Sequence, residues 1–192
     1  MIPRHSSVKL SIRILSKYRV FAYNFEDENR NGPLYWRDVG TIDAYYEANI
    51  DLVSVTPIFN LYDKGWPLRT WQQQYPPVKT VFADPDRMGV ALDSIVGGGS
   101  IISGGRVKRS VVGLDVRVNS FCEVENSIIY NHVNIGRHSR IRRAIIDRHV
   151  SLPEHTEIGY DLEANRRRFH VTDSGIIVVV RQESLIEEPE TA

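Results

Sequence analysis

The chain has 192 residues, with 24 basic and 24 acidic side chains, and its formal net charge is therefore zero. This balance argues against a wholesale binder of nucleic acid, because such proteins carry a marked basic excess. The single cysteine, Cys122, excludes an intrachain disulfide and fits a reducing compartment. No apolar run is long enough to span a membrane, and the start MIPRHSSVKL lacks an apolar signal core, so we expect a cytoplasmic protein without a membrane segment.

Residues 1–55 have the pattern of a small α/β segment. The stretch YRVFAYNF alternates like a strand, and the loop EDENRNGPL follows it. Thr41 is a good helix N-cap for IDAYYEANIDLVSV, with Asp43 in the first turn. A strand and helix of this kind need a sheet to lie on, and the sequence predicts none for them in this chain.

Residues 56–93 are predicted to form an ordered connector. The stretch KGWPLRTWQQQYPPVKTVF is rich in proline and aromatic residues and has no period. A flexible linker would not carry two tryptophans, so we expect this connector to pack on its neighbours.

An internal repeat follows, in which aliphatic residues recur at spacings of 6, 6 and 5, and the same three spacings then recur along the chain. Its positions are Ile95, Ile101, Val107, Val112, Val118, Val124, Ile129, Ile135, Ile141, Ile146, Leu152 and Ile158. A period near six indicates short strands joined by tight turns, three to a coil, with the aliphatic residues pointing into a triangular core.

The fold class is therefore mainly β: a left-handed parallel β-helix of hexapeptide repeats after a small α/β segment. We assign residues 94–185 to the β-helix, with about four coils up to residue 160. The β-branched run SGIIVVVRQ is predicted to cap or extend the stack, and residues 186–192 are predicted to fray.

Several separated motifs resemble the C-terminal half of bacterial glucose-1-phosphate adenylyltransferase. They are YWRDVGTIDAYYEANIDL, WPLRT, PPVK, VRVNSFCEVENSII, IRRAIIDRHVSLPEHTEIGYD and RRRFHVTDSGIIVVVR, and they occur in the family's order. The resemblance implies a Rossmann-like nucleotidyltransferase domain followed by a left-handed β-helix, so the α/β segment would be a remnant of the first domain. It also implies a homotetramer that makes ADP-glucose and pyrophosphate from ATP and glucose 1-phosphate with Mg²⁺, for glycogen synthesis.

By this resemblance the Asp of the WRDVG motif, Asp38, would hold Mg²⁺ beside the phosphates. A hard cation of this kind needs only one or two carboxylates besides phosphate and water. Trp36 would form a wall of the sugar-nucleotide pocket, and Arg37 would lock the loop. From residue chemistry alone, the simpler interpretation of Asp38 is a charge ahead of a helix N-terminus that interacts with the helix dipole.

Five arginines lie within twelve positions, namely Arg137, Arg140, Arg142, Arg143 and Arg148. They could form a solvated face or an anion site, because the guanidinium group matches phosphate geometry. By the resemblance, Arg148 would contact the inhibitor AMP, and Arg181 would contact an activating sugar bisphosphate such as fructose 1,6-bisphosphate. Leu185 departs from the enteric pattern, which has a second activator arginine there.

The family's glycine-rich phosphate loop is not found in this sequence, so the chain is expected to be a partial enzyme that is inactive alone. A second hypothesis is a non-catalytic regulatory or assembly module that binds phosphorylated metabolites or full-length subunits. A third is an acyltransferase with a histidine base, since His132, His138, His149 and His155 lie within the repeat. Turn histidines are the simpler interpretation, and Cys122 is expected to be a core residue.

Overall fold

The computed structural model describes residues 35–65, 67–71 and 73–181, together with positions 18, 19, 21, 26, 27, 32 and 33. The chain divides into two compact units, residues 1–36 and residues 37–192. In the first unit, β1 (Glu26–Asp27) pairs antiparallel with β2 (Gly32–Pro33), inside the segment predicted as a loop. Most of the predicted strand YRVFAYNF lies outside the described residues, as do the predicted frayed tail and the last residues of the predicted β-helix.

In the second unit, short parallel strands stack into three faces of a β-helix. The first face contains β3 (Lys79–Val81), β6 (Ile101–Ser103), β9 (Arg117–Val118), β12 (Asn134–Ile135) and β15 (Ser151–Leu152). The second contains β4 (Val90–Leu92), β7 (Arg106–Lys108), β10 (Glu123–Glu125), β13 (Arg140–Arg142) and β16 (Glu157–Ile158). The third contains β5 (Ile95–Val96), β8 (Val111–Val112), β11 (Ile128–Ile129), β14 (Ala144–Ile146) and β18 (Ile177–Val179), with β17 (His170–Val171) antiparallel at its edge.

This arrangement is the predicted left-handed parallel β-helix, and the hexapeptide repeat generates it. The strands begin at Lys79, earlier than the predicted residue 94. The aliphatic pattern did not reveal the first strands because Thr80 and Ala91 stand at the positions that pair with Ile102 and Val107. The run Ile177–Val179 extends the third face by pairing in parallel with Ala144–Ile146, as predicted.

Ten of the twelve predicted core positions, from Val107 to Ile158, are buried. At the first two positions the prediction is one residue too early, because Val96 and Ile102, and not Ile95 and Ile101, stand in the core register. Val96 pairs with Val112, and Ile102 pairs with Val118, so this coil is one residue shorter than those that follow it. Ile102 is fully buried, whereas Ile95 and Ile101 are only half-buried.

The shift arises at the corner after Ile102. Only Ser103 separates Ile102 from the left-handed residue Gly104, whereas two residues stand between Val118 and the left-handed Phe121 of the next coil. A corner that is one residue shorter moves the inward-facing position by one.

Helix α1 (Ile42–Asp51) begins after Thr41 as predicted, with the Thr41 hydroxyl oxygen accepting a hydrogen bond from the Ala44 N–H at 3.1 Å. The expectation that this helix has no sheet to lie on is wrong. Tyr46 packs with Ile128, Ile145 and Ile176 in a second buried cluster on the outer side of the third face. The outward-facing positions of that face are therefore apolar, which gives α1 its packing surface.

Three hydrogen bonds fix α1 to the β-helix. The Tyr46 hydroxyl donates to the Asn126 carbonyl oxygen at 2.6 Å. The hydroxyls of Tyr45 and Tyr130 are hydrogen-bonded to each other, and the Ser174 hydroxyl donates to the Asp43 carboxylate. The residues just before the helix are thus held relative to the third face.

The last coil is closed by α2 (Leu162–Arg166), whose N-cap is Asp161. Gly159 precedes it with φ +87°, and a Cβ at this position would come within 1.9 Å of the Arg142 carbonyl oxygen, so only glycine fits. The Gly159 N–H donates to the buried Asn165 side chain at 2.8 Å. Of the helices within the described residues, none is both long and apolar enough to cross a bilayer.

Candidate functional site

Asp38 lies in an exposed turn ahead of α1. Its Oδ1 accepts a hydrogen bond from the Gly40 N–H at 2.9 Å, and a Cβ on Gly40 would lie 3.1 Å from that oxygen. The second carboxylate oxygen has no hydrogen-bond partner within the described part of the chain. An exposed carboxylate with one oxygen held by the backbone and the other open suits a single contact to a hard cation.

Arg37 connects this turn to the helix. Its guanidinium lies 3.2 Å from the Glu47 carboxylate, which agrees with the prediction that Arg37 locks the loop. Trp36 belongs to the first compact unit, and its side chain is 75% exposed, so an aromatic ring is available there for a ligand. Because α1 is fixed to the β-helix, the position of Asp38 depends on that packing.

Asp38 does not form a metal site by itself. Among the described residues, no three or more His, Cys, Asp and Glu side chains come together as a set that could hold an ion. A Mg²⁺ bound at Asp38 would therefore need oxygen ligands from phosphate, water or further protein groups. The role of Asp38 as a metal carboxylate stays a prediction.

Arg148 and Arg181 follow adjacent strands of the third face at the same offset. Arg148 stands two residues beyond Ile146, and Arg181 stands two residues beyond Val179, the residue that pairs with Ile146. Neighbouring strands lie about 4.8 Å apart, so the two side chains leave the same corner of successive coils. Both side chains are exposed.

The other arginines of the predicted cluster are distributed differently. Arg140 lies 3.3 Å from both Glu123 and Glu157, in a column of alternating charges on the second face. Arg143 donates to the Ser174 carbonyl oxygen at 3.1 Å. Five arginines that are close in sequence thus point to different faces, because successive strands of one coil face different directions.

The four repeat histidines are corner residues with left-handed backbone, as the turn interpretation predicted. His132 stacks on His149 with ring centroids 4.7 Å apart, and His138 stacks on His155 at 4.9 Å. His132 also lies 3.0 Å from the Asp115 carboxylate. One full coil separates the two members of each pair, which places their rings one above another, and stacking accounts for their presence.

Cys122 is a buried core residue, as predicted. Its thiol donates to the Gly136 carbonyl oxygen at 2.9 Å, and burial raises the pKa of the thiol. A raised pKa disfavours the thiolate, which is the reactive form. Cys122 therefore contributes packing, and it has no features of a nucleophile.

A repeating β-helix core with a docked helix places the chain in the class of hexapeptide-repeat proteins. The family model described as "GlmU-like, C-terminal hexapeptide" matches residues 76–179, and the chain belongs to this family.

Curated proteins extend the similarity to nearly the whole chain. It is 62% identical over 177 residues to glucose-1-phosphate adenylyltransferase of Koribacter versatilis (strain Ellin345), covering 92% of this chain and 42% of the relative. It is 56% identical over 171 residues to glucose-1-phosphate adenylyltransferase of Rhodopirellula baltica, covering 87% of this chain and 38% of the relative. The resemblance inferred from the motifs is confirmed, and the chain spans about two fifths of the length of these relatives.

Sequence reasoning did not identify the surroundings of Arg181. Arg181 lines a cavity of about 510 Å³ between the last coil and the β17–β18 hairpin, and Arg168 and His149 line the same cavity. In the sequence, the triplet of Arg166 to Arg168 reads as a solvated charged face with some potential to bind phosphate. Arg168 lines the same cavity as Arg181 because β17, which begins two residues after it, pairs antiparallel with β18, and such a pairing has no local signature.

Proposed function

We propose that this chain is the C-terminal part of a glucose-1-phosphate adenylyltransferase, the enzyme that makes ADP-glucose and pyrophosphate from ATP and glucose 1-phosphate in glycogen synthesis. The observation that carries the proposal is 62% identity over 92% of the chain to a protein of that name. The motif WRDVG and the helix after it match the motifs of this family, and α1 is held on the β-helix by buried contacts.

In this proposal the chain supplies part of the catalytic site. Asp38 would hold Mg²⁺ through its open carboxylate oxygen, and the chemistry supplied there would be neutralisation of charge on the phosphates of ATP and glucose 1-phosphate. Trp36 covers the sugar nucleotide. Arg37 and α1 keep Asp38 in position, and the remaining contacts to the substrates come from the nucleotidyltransferase portion that the longer relatives contain.

The β-helix supplies effector contacts and subunit contacts in the same proposal. Arg148 binds AMP, and Arg181 binds the phosphate of an activating sugar bisphosphate. Their adjacent positions in the third face support a shared anion-binding surface. Homo-oligomer formation through the β-helix completes the proposed role.

A chimera tests the catalytic assignment. The chain would replace its counterpart in the Koribacter versatilis relative, and pyrophosphate release would be measured with ATP, glucose 1-phosphate and Mg²⁺. We expect activity in the chimera and none in the isolated chain. Asp38→Asn should lower kcat about a hundredfold, since a lost transition-state metal contact costs several kcal/mol. The exposed Asp173→Asn is the matched control and should leave kcat unchanged.

Two results would contradict this assignment. Turnover of Asp38→Asn within a few-fold of the parent would make Asp38 a structural residue. A folded chimera without activity would favour the alternative of a regulatory or assembly module, which binds phosphorylated metabolites or full-length subunits without catalysis.

A further inference from the structure

The last coil of the β-helix borders a cavity along one of its strands. In the first face, β15 is the terminal strand of the sheet, and among the described residues it pairs only with β12. The cavity of about 510 Å³ lies against this strand, because Val150, Ser151, Leu152 and Pro153 all line it. The outer edge of β15 is therefore next to space that a further strand segment could fill.

The backbone of the first face shows how such a segment would be bonded. The Arg117 N–H donates to the Val133 carbonyl oxygen at 2.9 Å, and one coil later the Asn134 N–H donates to the Val150 carbonyl oxygen at 3.0 Å. Ser151 stands next in this column, since it pairs with Asn134. The Ser151 N–H is thus the donor that a further coil would use.

The chain beyond Arg181, which lies outside the described residues, reaches the matching position after a few residues. Ser151 follows Ile146, the last residue of β14, by five residues. Val179, the last residue of β18, pairs with Ile146. Five residues beyond Val179 stands Ser184. The coil that places β15 after β14 therefore places Ser184 next to β15.

The sequence at that position repeats the sequence of β15, because Ser184 and Leu185 correspond to Ser151 and Leu152. We propose that Ser184 and Leu185 form a further strand of the first face, parallel to β15, in which Leu185 packs on Leu152 and fills the apolar part of the cavity. In the preceding coil, Ile135 pairs with Leu152 and is 0% exposed, whereas Leu152 is still 7% exposed. Leu185 would give Leu152 the cover that Ile135 already has.

The charges of the segment and of the cavity are complementary. Glu183 departs from the coil pattern, since it stands at the position of Val150. Arg168 and His149 line the cavity there, and none of the described lining residues is acidic. Residues 182–192 contain four glutamates and no basic residue. A carboxylate at the edge of the cavity would thus lie near groups that carry or can accept positive charge, which offsets its departure from the apolar pattern.

Hydrogen exchange of the full chain, followed at single amides, tests the proposal. The Ser151 and Leu185 amides should be protected in the parent. Leu185→Ala should speed the exchange of both at least about tenfold, because it removes the apolar contact that holds the segment. Ile186→Ala is the matched control, since Ile186 corresponds to the exposed Pro153. It should change these rates by less than about twofold. Unchanged rates at Val124 and Ile141 would show that the β-helix stays folded in both variants.

Three outcomes would overturn the proposal. The first is exchange of the Leu185 amide in the parent at the rate of an unstructured peptide, and the second is an equal effect of Leu185→Ala and Ile186→Ala. The third is protection that disappears at about hundredfold lower protein concentration, which would assign the cavity to this segment of a second copy. The proposal goes beyond the function proposed above and does not depend on it, because its measurement involves neither catalysis nor effector binding. Its failure would leave the chimera experiment unaffected.

Discussion

The docking of α1 on the β-helix predicts a measurable effect for Tyr46→Phe. Tyr46 is buried, and its hydroxyl donates to the Asn126 carbonyl oxygen at 2.6 Å. The substitution keeps the ring against Ile128, Ile145 and Ile176 and removes only the hydroxyl. It therefore isolates one hydrogen bond between the helix and the β-helix.

The expected loss follows from that contact. Removing one hydrogen bond and leaving a carbonyl without its partner costs about 1 kcal/mol. Local opening of α1 should then become about fivefold more frequent, since about 1.36 kcal/mol corresponds to a factor of ten. The core of the β-helix does not contain this bond, so its stability should be unchanged.

Hydrogen exchange of the full chain measures this effect. Amides of residues 46–50 should be protected in the parent and exchange about fivefold faster in Tyr46→Phe, while amides of residues 124–158 keep their rates. Tyr62→Phe is the control, because Tyr62 is 74% exposed. Exchange of the helix amides at the rate of an unstructured peptide in the parent would refute docking and restore the expectation drawn from sequence, that this segment is unprotected without a sheet.

Two further predictions concern the core register and alkaline pH. In a denaturant titration, Ile102→Ala should lower the free energy of unfolding by about 2–5 kcal/mol. Ile101→Ala should lower it clearly less, because Ile101 is only half-buried. An equal decrease in both variants would contradict the shorter first coil. Burial raises the pKa of Tyr46 and, more strongly, that of Tyr130. Both tyrosines therefore lose their protons at lower pH in the unfolded state than in the folded state. The stability from both groups should be complete below pH about 10 and fall above it. The thermal midpoint of the Tyr46→Phe, Tyr130→Phe double variant should therefore decline less between pH 8 and 11, and parallel curves would contradict this.

The sequence by itself determined the β-helix and the beginning of α1. Aliphatic residues every five or six positions can be buried together only if short strands wind into a triangular core, so the period predicts the fold without knowledge of distant contacts. Thr41 was identifiable because a helix cap involves residues only three positions apart. The motifs also single out Arg148 and Arg181, which follow the paired strands β14 and β18 at the same offset, and their effector roles stay a prediction.

Tertiary structure decided what depends on through-space contacts. The single-residue shift at Ile102 comes from a shorter corner, which the aliphatic pattern conceals because Ile101 and Ile102 are both aliphatic. The packing surface of α1 consists of Ile128, Ile145 and Ile176, which belong to different coils, and no local pattern connects them to Tyr46. Arg168 and Arg181 line one cavity because β17 turns back antiparallel to β18. Local periodicity determines which residues face the core, whereas contacts between distant segments determine what lies on the outer faces.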